Sequence, residues 1–242
     1  MLKRFLLPLL LLTLAPPGGA LADTPQAPAT ASTAAKAQAP LPKVVLHTSE
    51  GDITIELFPN KSPKSVANFM QYVKSGFYDG TVFHRVIEGY LIQGGIYNRQ
   101  LVQKRTRDPV PAESDNGLSN LRGTVAVARG ADPDSGTSQF FINLVDNRRL
   151  DYINDKSGQT WGYTVFGKVI KGMDVVDKIG SLPTHAQGPF AGDVPEPLVV
   201  IKNAAVVGAN KPAVASSAPA SASSAPAPKS SKKSDASKSK AP

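Results

Sequence analysis

Arg85 and Gln93 stand eight residues apart in a strand-like run, Thr81 to Gly95, that ends in a glycine pair. On an extended, paired backbone an even spacing allows both side chains to lie on one face. Tyr90 and Leu91 lie between them. Arginine is permanently charged and carries five N–H donors in a planar fork. Set beside large apolar side chains, it makes a groove that is part polar and part apolar. The rest of the inventory narrows the chemistry. The chain has no Cys, which excludes a disulfide, a thiolate nucleophile and a cysteine metal site. His47, His84 and His185 are scattered and lack metal-ligand spacing. His84 neighbours Arg85 and reads as a satisfied core histidine on the opposite face of the strand. Asp132-Pro133-Asp134-Ser135-Gly136 has acids two apart but lacks the remainder of an EF-hand loop, and reads as a turn. No Gly-x-Ser-x-Gly elbow supports a hydrolase. Neither a metal nor a cofactor is expected.

The elements that position these residues follow from hydrophobic period. Val44 and Leu46 alternate with Val45 and His47, and Ile53, Ile55 and Leu57 alternate with Thr54 and Glu56. Ser49-Glu50-Gly51-Asp52 between them reads as a hairpin turn. At Ser62-Pro63 the period changes. A hydroxyl at the N-cap and a proline at the first helical position predict a helix start. Val66, Phe69, Met70 and Val73 then follow at helical spacing, and Gly76 suits the stop. Strand-like runs return at 81–86, 90–93, 123–128, 138–144 and 163–169, and the last spans 197–207. A second short helix fits Met173 to Ile179, with Val175, Val176 and Ile179 as its apolar face. Many short strands and two helices predict a mainly β fold, a closed antiparallel barrel. A β-sandwich is the alternative that this pattern leaves open.

The ends read differently. Lys3 and Arg4 precede an apolar run from Phe5 to Leu14, and Ala20-Leu21-Ala22 gives a small-residue cleavage pattern. Residues 1–22 are therefore expected to be a secretory signal peptide cleaved after Ala22. The apolar run falls short of the roughly 20 residues that a membrane span needs. The expected location is the bacterial periplasm. Residues 23–42 are rich in Ala, Pro and Thr, and residues 209–242 in Ala, Ser, Pro and Lys. Both are expected to be disordered. The tail holds six lysines (211, 229, 232, 233, 238 and 240) against Asp235, so it carries most of the formal net charge of +8. Its lysines alternate with small residues and have no aromatic to stack on bases, which argues for a solubilising tether and against nucleic-acid binding. Residues 43–208 remain as the folded unit.

Within that unit the run Phe83-His84-Arg85…Gly89-Tyr90-Leu91-Ile92-Gln93-Gly94-Gly95 resembles the signature of the cyclophilin family of peptidyl-prolyl cis-trans isomerases. Further blocks in family order are Gly76-Phe77-Tyr78, Ser138-Gln139-Phe140-Phe141-Ile142, Val165-Phe166-Gly167-Lys168-Val169 and Gly172-Met173-Asp174-Val175-Val176. Asp115-Asn116-Gly117-Leu118 and Pro183-Thr184-His185 point to the periplasmic bacterial branch. The resemblance implies a closed eight-stranded antiparallel β-barrel with a capping α-helix at each open end. It implies a monomer that acts on proline-containing unfolded or flexible polypeptides. By resemblance Arg85 is the catalytic donor. Tyr90, Leu91, Phe141 and Leu150 form the proline slot, with Tyr163 at its rim. Phe141 faces the slot and Phe140 packs inward. Gln93 and Gln139 hold substrate carbonyls or orient Arg85, and the backbone of Ala128 and Arg129 pairs with residues flanking the proline.

Some positions depart from the family's pattern. Glu88 stands where proline is usual, Tyr90 replaces Phe, and Leu91 replaces Met. Tyr163 stands where eukaryotic-type members have a histidine. Arg149 occupies the position of a tryptophan that helps bind cyclosporin, so weak cyclosporin binding at most is expected. The expected function is acceleration of X–Pro rotation in exported proteins. The alternative is a proline-peptide-binding chaperone whose role does not need turnover.

Overall fold

The computed structural model describes residues 40–208. The expected signal peptide, most of the Ala/Pro-rich linker and the Lys-rich tail lie outside the described residues. In chain order the elements are β1 (Lys43–Thr48), β2 (Asp52–Leu57), α1 (Pro63–Lys74), β3 (Thr81–Ile87), β4 (Leu91–Asn98), β5 (Thr124–Val127), β6 (Phe140–Asn143), β7 (Val165–Lys171), α2 (Met173–Gly180), β8 (Thr184–Gln187), β9 (Phe190–Pro195) and β10 (Val199–Val206). Eight strands close into a barrel in the order β1-β10-β3-β4-β6-β5-β7-β2, and β8 and β9 form a separate hairpin. Every pairing is antiparallel. The barrel, and not the sandwich, is the architecture. Closure gives each barrel strand two neighbours and leaves the barrel itself no free sheet edge.

Alternation along the strands fills the interior. Leu46, Ile53, Ile55, Leu57, Phe83, Ile142 and Phe166 are fully buried in one core cluster. The two helices close opposite ends. Phe69 of α1 packs its ring on Phe140 and Phe166, at the starts of β6 and β7. At the other end Gly180 of α2 lies against Leu144, just past β6, and Val175 sits over Gly51 in the β1–β2 turn. Among the described residues no helix is long and apolar enough to cross a membrane.

Helix α1 starts at Pro63, but its cap differs from expectation. The Ser62 hydroxyl makes no capping bond. It donates to the Val165 carbonyl at 2.7 Å and accepts from Asn116 Nδ2. The cap comes instead from Glu113, whose carboxylate accepts the N–H groups of Lys64 (3.0 Å) and Ser65 (2.9 Å). A carboxylate at the positive end of the helix dipole also gains electrostatically. The stop is as expected. Gly76 has φ 66°, Phe77 N–H reaches Tyr72 O and Gly76 N–H reaches Val73 O. This is the Schellman pattern, completed by the Tyr72–Phe77 ring contact at 4.6 Å.

The β8–β9 hairpin is absent from the sequence expectation. Thr184–Gln187 is almost wholly exposed and Phe190–Pro195 includes Gly, Asp and Pro, so neither shows a core-facing alternation. The hairpin contacts β3, and Val194 is buried in a small cluster with Val82 and Leu101, against which Phe190 and Tyr97 pack.

Candidate active site

The site begins at an irregularity in β3. Phe83 pairs with Gly94, yet Arg85 pairs with Gln93, so β3 holds one extra residue between these pairs. A bulge of this kind breaks strict alternation. Phe83 and Val86 both belong to the barrel core, whereas Val82 packs in the outer cluster beneath the hairpin. His84 also meets that outer layer, with its ring 4.7 Å from Tyr97 and 5.3 Å from Phe190. His84 is therefore not on the face opposite Arg85, as simple alternation suggested. It is buried, but its Nδ1 has no hydrogen-bond partner among the described residues. Burial pushes its pKa down to about 4, aided by the charge of Arg85 and opposed by an interaction with the Val82 backbone.

Arg85 and Gln93 do share a face, as direct cross-strand partners. The connection is a tight turn in which Tyr90 N–H bonds Ile87 O at 3.0 Å. Gly89, at its third position, has φ 63°, the left-handed value that a type II turn requires there. Arg85 Nη1 donates a long bond of 3.5 Å to Gln93 Oε1, and Gln93 Nε2 donates to Gln139 Oε1 at 3.1 Å. On its other side Arg85 Nε donates to Asp193 Oδ2 at 3.4 Å. The row thus runs Asp193, Arg85, Gln93, Gln139. Sequence reasoning did not include Asp193. It comes from the hairpin, 108 residues away in sequence, where it sits at φ 65°, a conformation Asp tolerates better than most residues.

Beside this row lies an apolar patch outside the barrel core. Leu91, Ala126, Ala128, Phe141 and Val165 form a second cluster, and Tyr90, Leu118, Leu150 and Tyr163 pack against it. Phe141 belongs to this cluster while Phe140 belongs to the core, as period-2 geometry demands of neighbours on β6. Tyr163 meets Phe141 edge to face at 5.5 Å. The expected slot residues are therefore all brought together. Ala126 and Leu118 join them without having been expected. Leu118 lies in the Asp115–Leu118 stretch, whose family resemblance was the only available signal.

Tyr90 comes from the β3–β4 turn and Leu150 from a short 3-10 turn, Arg148–Leu150, and buried asparagines hold them. Asn147 Nδ2 donates to Tyr90 O at 2.9 Å, and Asn120 Nδ2 donates to Leu150 O at 3.0 Å. Asn143, fully buried, links the two by donating to Asn120 Oδ1 and accepting from Asn147. Ala128 N–H is already bonded to Gln139 O at 3.0 Å. Arg129 folds its guanidinium back onto the carbonyls of Gly130, Gly158 and Gly162. That side chain therefore anchors the 152–162 loop. The Asp132–Gly136 stretch is a turn. Asp132 Oδ1 accepts Asp134 N–H, and Asp134 Oδ1 accepts Ala112 N–H.

In chemical terms the arrangement is a charged, multi-donor fork held at the lip of an apolar slot. It can grip a flat apolar ring while directing hydrogen bonds at a polar atom beside it. Comparison with known proteins identifies the family. The family model of the cyclophilin type peptidyl-prolyl cis-trans isomerase/CLD matches residues 43–206. Peptidyl-prolyl cis-trans isomerase A of Dickeya dadantii (strain 3937) is 50% identical over 164 residues, covering 68% of this chain and 84% of that protein. Peptidyl-prolyl cis-trans isomerase B of Escherichia coli (strain K12) is 48% identical over 163 residues, covering 67% of this chain and 98% of that protein. A solved structure of a cyclophilin type isomerase of Cryptosporidium parvum, in the presence of the dipeptide Ala-Pro, superposes with a TM-score of 0.54 at 27% identity, over 68% of this chain and 98% of the other. A matching family model across the whole barrel, with bacterial relatives at half identity, leaves one conclusion: the chain belongs to the cyclophilin-type peptidyl-prolyl cis-trans isomerases.

Proposed function

We propose that this isomerase accelerates X–Pro rotation by hydrogen bonding from Arg85 to the prolyl nitrogen, with the proline ring held against Leu91 and Phe141. Rotation about the amide faces a barrier of ~18–20 kcal/mol because it destroys C–N resonance. Uncatalysed, it takes tens to hundreds of seconds, as an order of magnitude. In the planar ground state the nitrogen lone pair is delocalised and a poor acceptor. In the twisted state the lone pair is localised and accepts a hydrogen bond. A donor aimed at that nitrogen binds the transition state more strongly than the substrate, which is the condition for acceleration. No σ bond breaks, so no nucleophile is required.

The observation that carries this reading is the position of Arg85 at the lip of the apolar patch, held between Asp193 and Gln93. Asp193 occupies Nε and Gln93 takes one long bond from Nη1, which leaves the remaining Nη hydrogens to face a substrate. Gln93 and Gln139 then fix the arginine's lateral position or receive the peptide's own polar groups. The Ala-Pro dipeptide of the Cryptosporidium parvum structure supports proline as the ring that fits such a slot. Exported chains are the proposed substrates, on the strength of residues 1–22 read as an export signal.

Replacing Arg85 by Ala tests the mechanism. Exchange NMR on a proline peptide should show kcat/KM lower by about a hundred- to a thousandfold, the scale of losing one transition-state donor. Wild-type turnover in this variant would overturn the mechanism. Protection of an aggregating client that survives the loss of turnover would establish the chaperone role as separable.

A further inference from the structure

Arg149 lies across the ring of Tyr90, with its guanidinium carbon 4.6 Å from the centroid. Arg129 lies across the ring of Tyr163 at 4.7 Å. Both line a groove of about 520 Å³ whose wall includes Leu150 and Tyr163, the same residues that border the proline slot. Among the described residues no Asp or Glu lines this groove. Among the described residues neither arginine takes part in an ion pair. Among the described residues Arg129 is satisfied as a donor only by neutral carbonyls, with no carboxylate bonded to it. Arg149 is exposed and rests on an aromatic face. A cation held on a ring keeps its edge N–H groups free for a planar acceptor.

We propose that this groove is a subsite for an acidic side chain, Asp or Glu, within one or two residues of the isomerised proline. The inference rests on the reading of Leu91 and Phe141 as the proline slot. Its physical basis is charge and reach. Two cations lining one groove, neither of them ion-paired among the described residues, favour a carboxylate and disfavour Lys or Arg. An extended peptide advances about 3.3 Å per residue, so a neighbour of the bound proline spans the short step from Phe141 past Tyr163, whose rings are 5.5 Å apart. Arg149 is the selective element, because Arg129 is committed to the loop.

The test compares matched peptides that carry Glu, Gln or Lys next to the X–Pro unit, with rates read by exchange NMR on the full chain. At low salt kcat/KM should fall in the order Glu, Gln, Lys, with Glu over Lys by about two- to fivefold, the scale of an exposed ion pair. The preference should shrink at high salt. Arg149→Lys should retain it, Arg149→Gln should bring the ratio toward one, and Arg149→Glu should bring it to one or below. Because the ratio is taken on each variant, any general loss of folding or turnover cancels. Equal rates for the Glu and Lys peptides, or a ratio unmoved by Arg149→Glu, would overturn the subsite. Phe141→Ala on the Gln peptide separates the underlying reading. If that variant turns over normally, the slot itself is wrong. If it is impaired while wild type ignores charge, only the subsite fails.

Discussion

Asp193 shows how one side chain acts on another at this site. Its carboxylate holds Arg85 Nε at 3.4 Å, with the two side chains 46% and 44% exposed. An ion pair so exposed contributes little to stability, about 0–1 kcal/mol. Its effect lies in orientation, because a bond at Nε biases the Nη groups toward the slot. Asp193 is thus a positioning residue for the proposed donor. Asn is the informative substitution, since it removes the charge yet tolerates the backbone at φ 65°. For Asp193→Asn we expect kcat/KM for a neutral proline peptide to fall by about three- to tenfold, within the scale of misplacing a catalytic group. The midpoint of urea unfolding should hardly move. The drop should appear mainly in kcat, because the slot that binds the ring is untouched. Unchanged kcat, or a loss matched by an equal loss of stability, would remove Asp193 from the mechanism.

At the level of elements, period explains what could be read and what could not. Ile53, Ile55 and Leu57 report a strand directly, and Val66, Phe69 and Val73 report a helix, because each must face the core. The barrel strands and both helices were legible for that reason. Three devices were not, because each depends on residues far apart in sequence. The extra residue at His84 leaves no mark in composition, and only the Gly94 and Gln93 pairings expose it. The hairpin covers β3 with few apolar side chains. The cap on α1 is supplied by Glu113, 49 residues beyond Lys64. The slot residues were legible only through family resemblance, since a Leu or Phe in a strand is equally a core residue. The cap makes a direct prediction. Glu113→Ala strips acceptors from two helix N–H groups and from Ser65 Oγ. It should destabilise the protein by about 1–2 kcal/mol, the upper range for losing a helix cap, measured by urea unfolding. An effect below about 0.3 kcal/mol would mean that water replaces the carboxylate at no cost, contrary to the capping account.

The whole molecule carries a cost for the way the hairpin covers β3. His84 is 3% exposed and its pKa is pushed down to about 4, against an ordinary value of 6.5. The unfolded chain therefore binds a proton at a higher pH than the folded one does. Stability from this group is full above pH 6.5 and is lost as pH falls from there toward 4, where the native state protonates as well. The shift corresponds to about 3 kcal/mol at most, at 1.36 kcal/mol per pKa unit. Against a typical total stability of about 5–15 kcal/mol, that is a considerable share. Urea unfolding between pH 7 and pH 4.5 should show stability falling with a limiting slope of about 1.4 kcal/mol per pH unit from this proton. In His84→Leu that contribution to the slope should vanish, whatever the variant's stability at neutral pH. If the variant does not fold, the His84 ring protons of the wild type give the same answer, and they should show no titration near pH 6.5. A titration there would mean that water reaches the imidazole. The hairpin would then be a loose flap, and the carboxylate of Asp193 that it carries could not hold Arg85 in a fixed position.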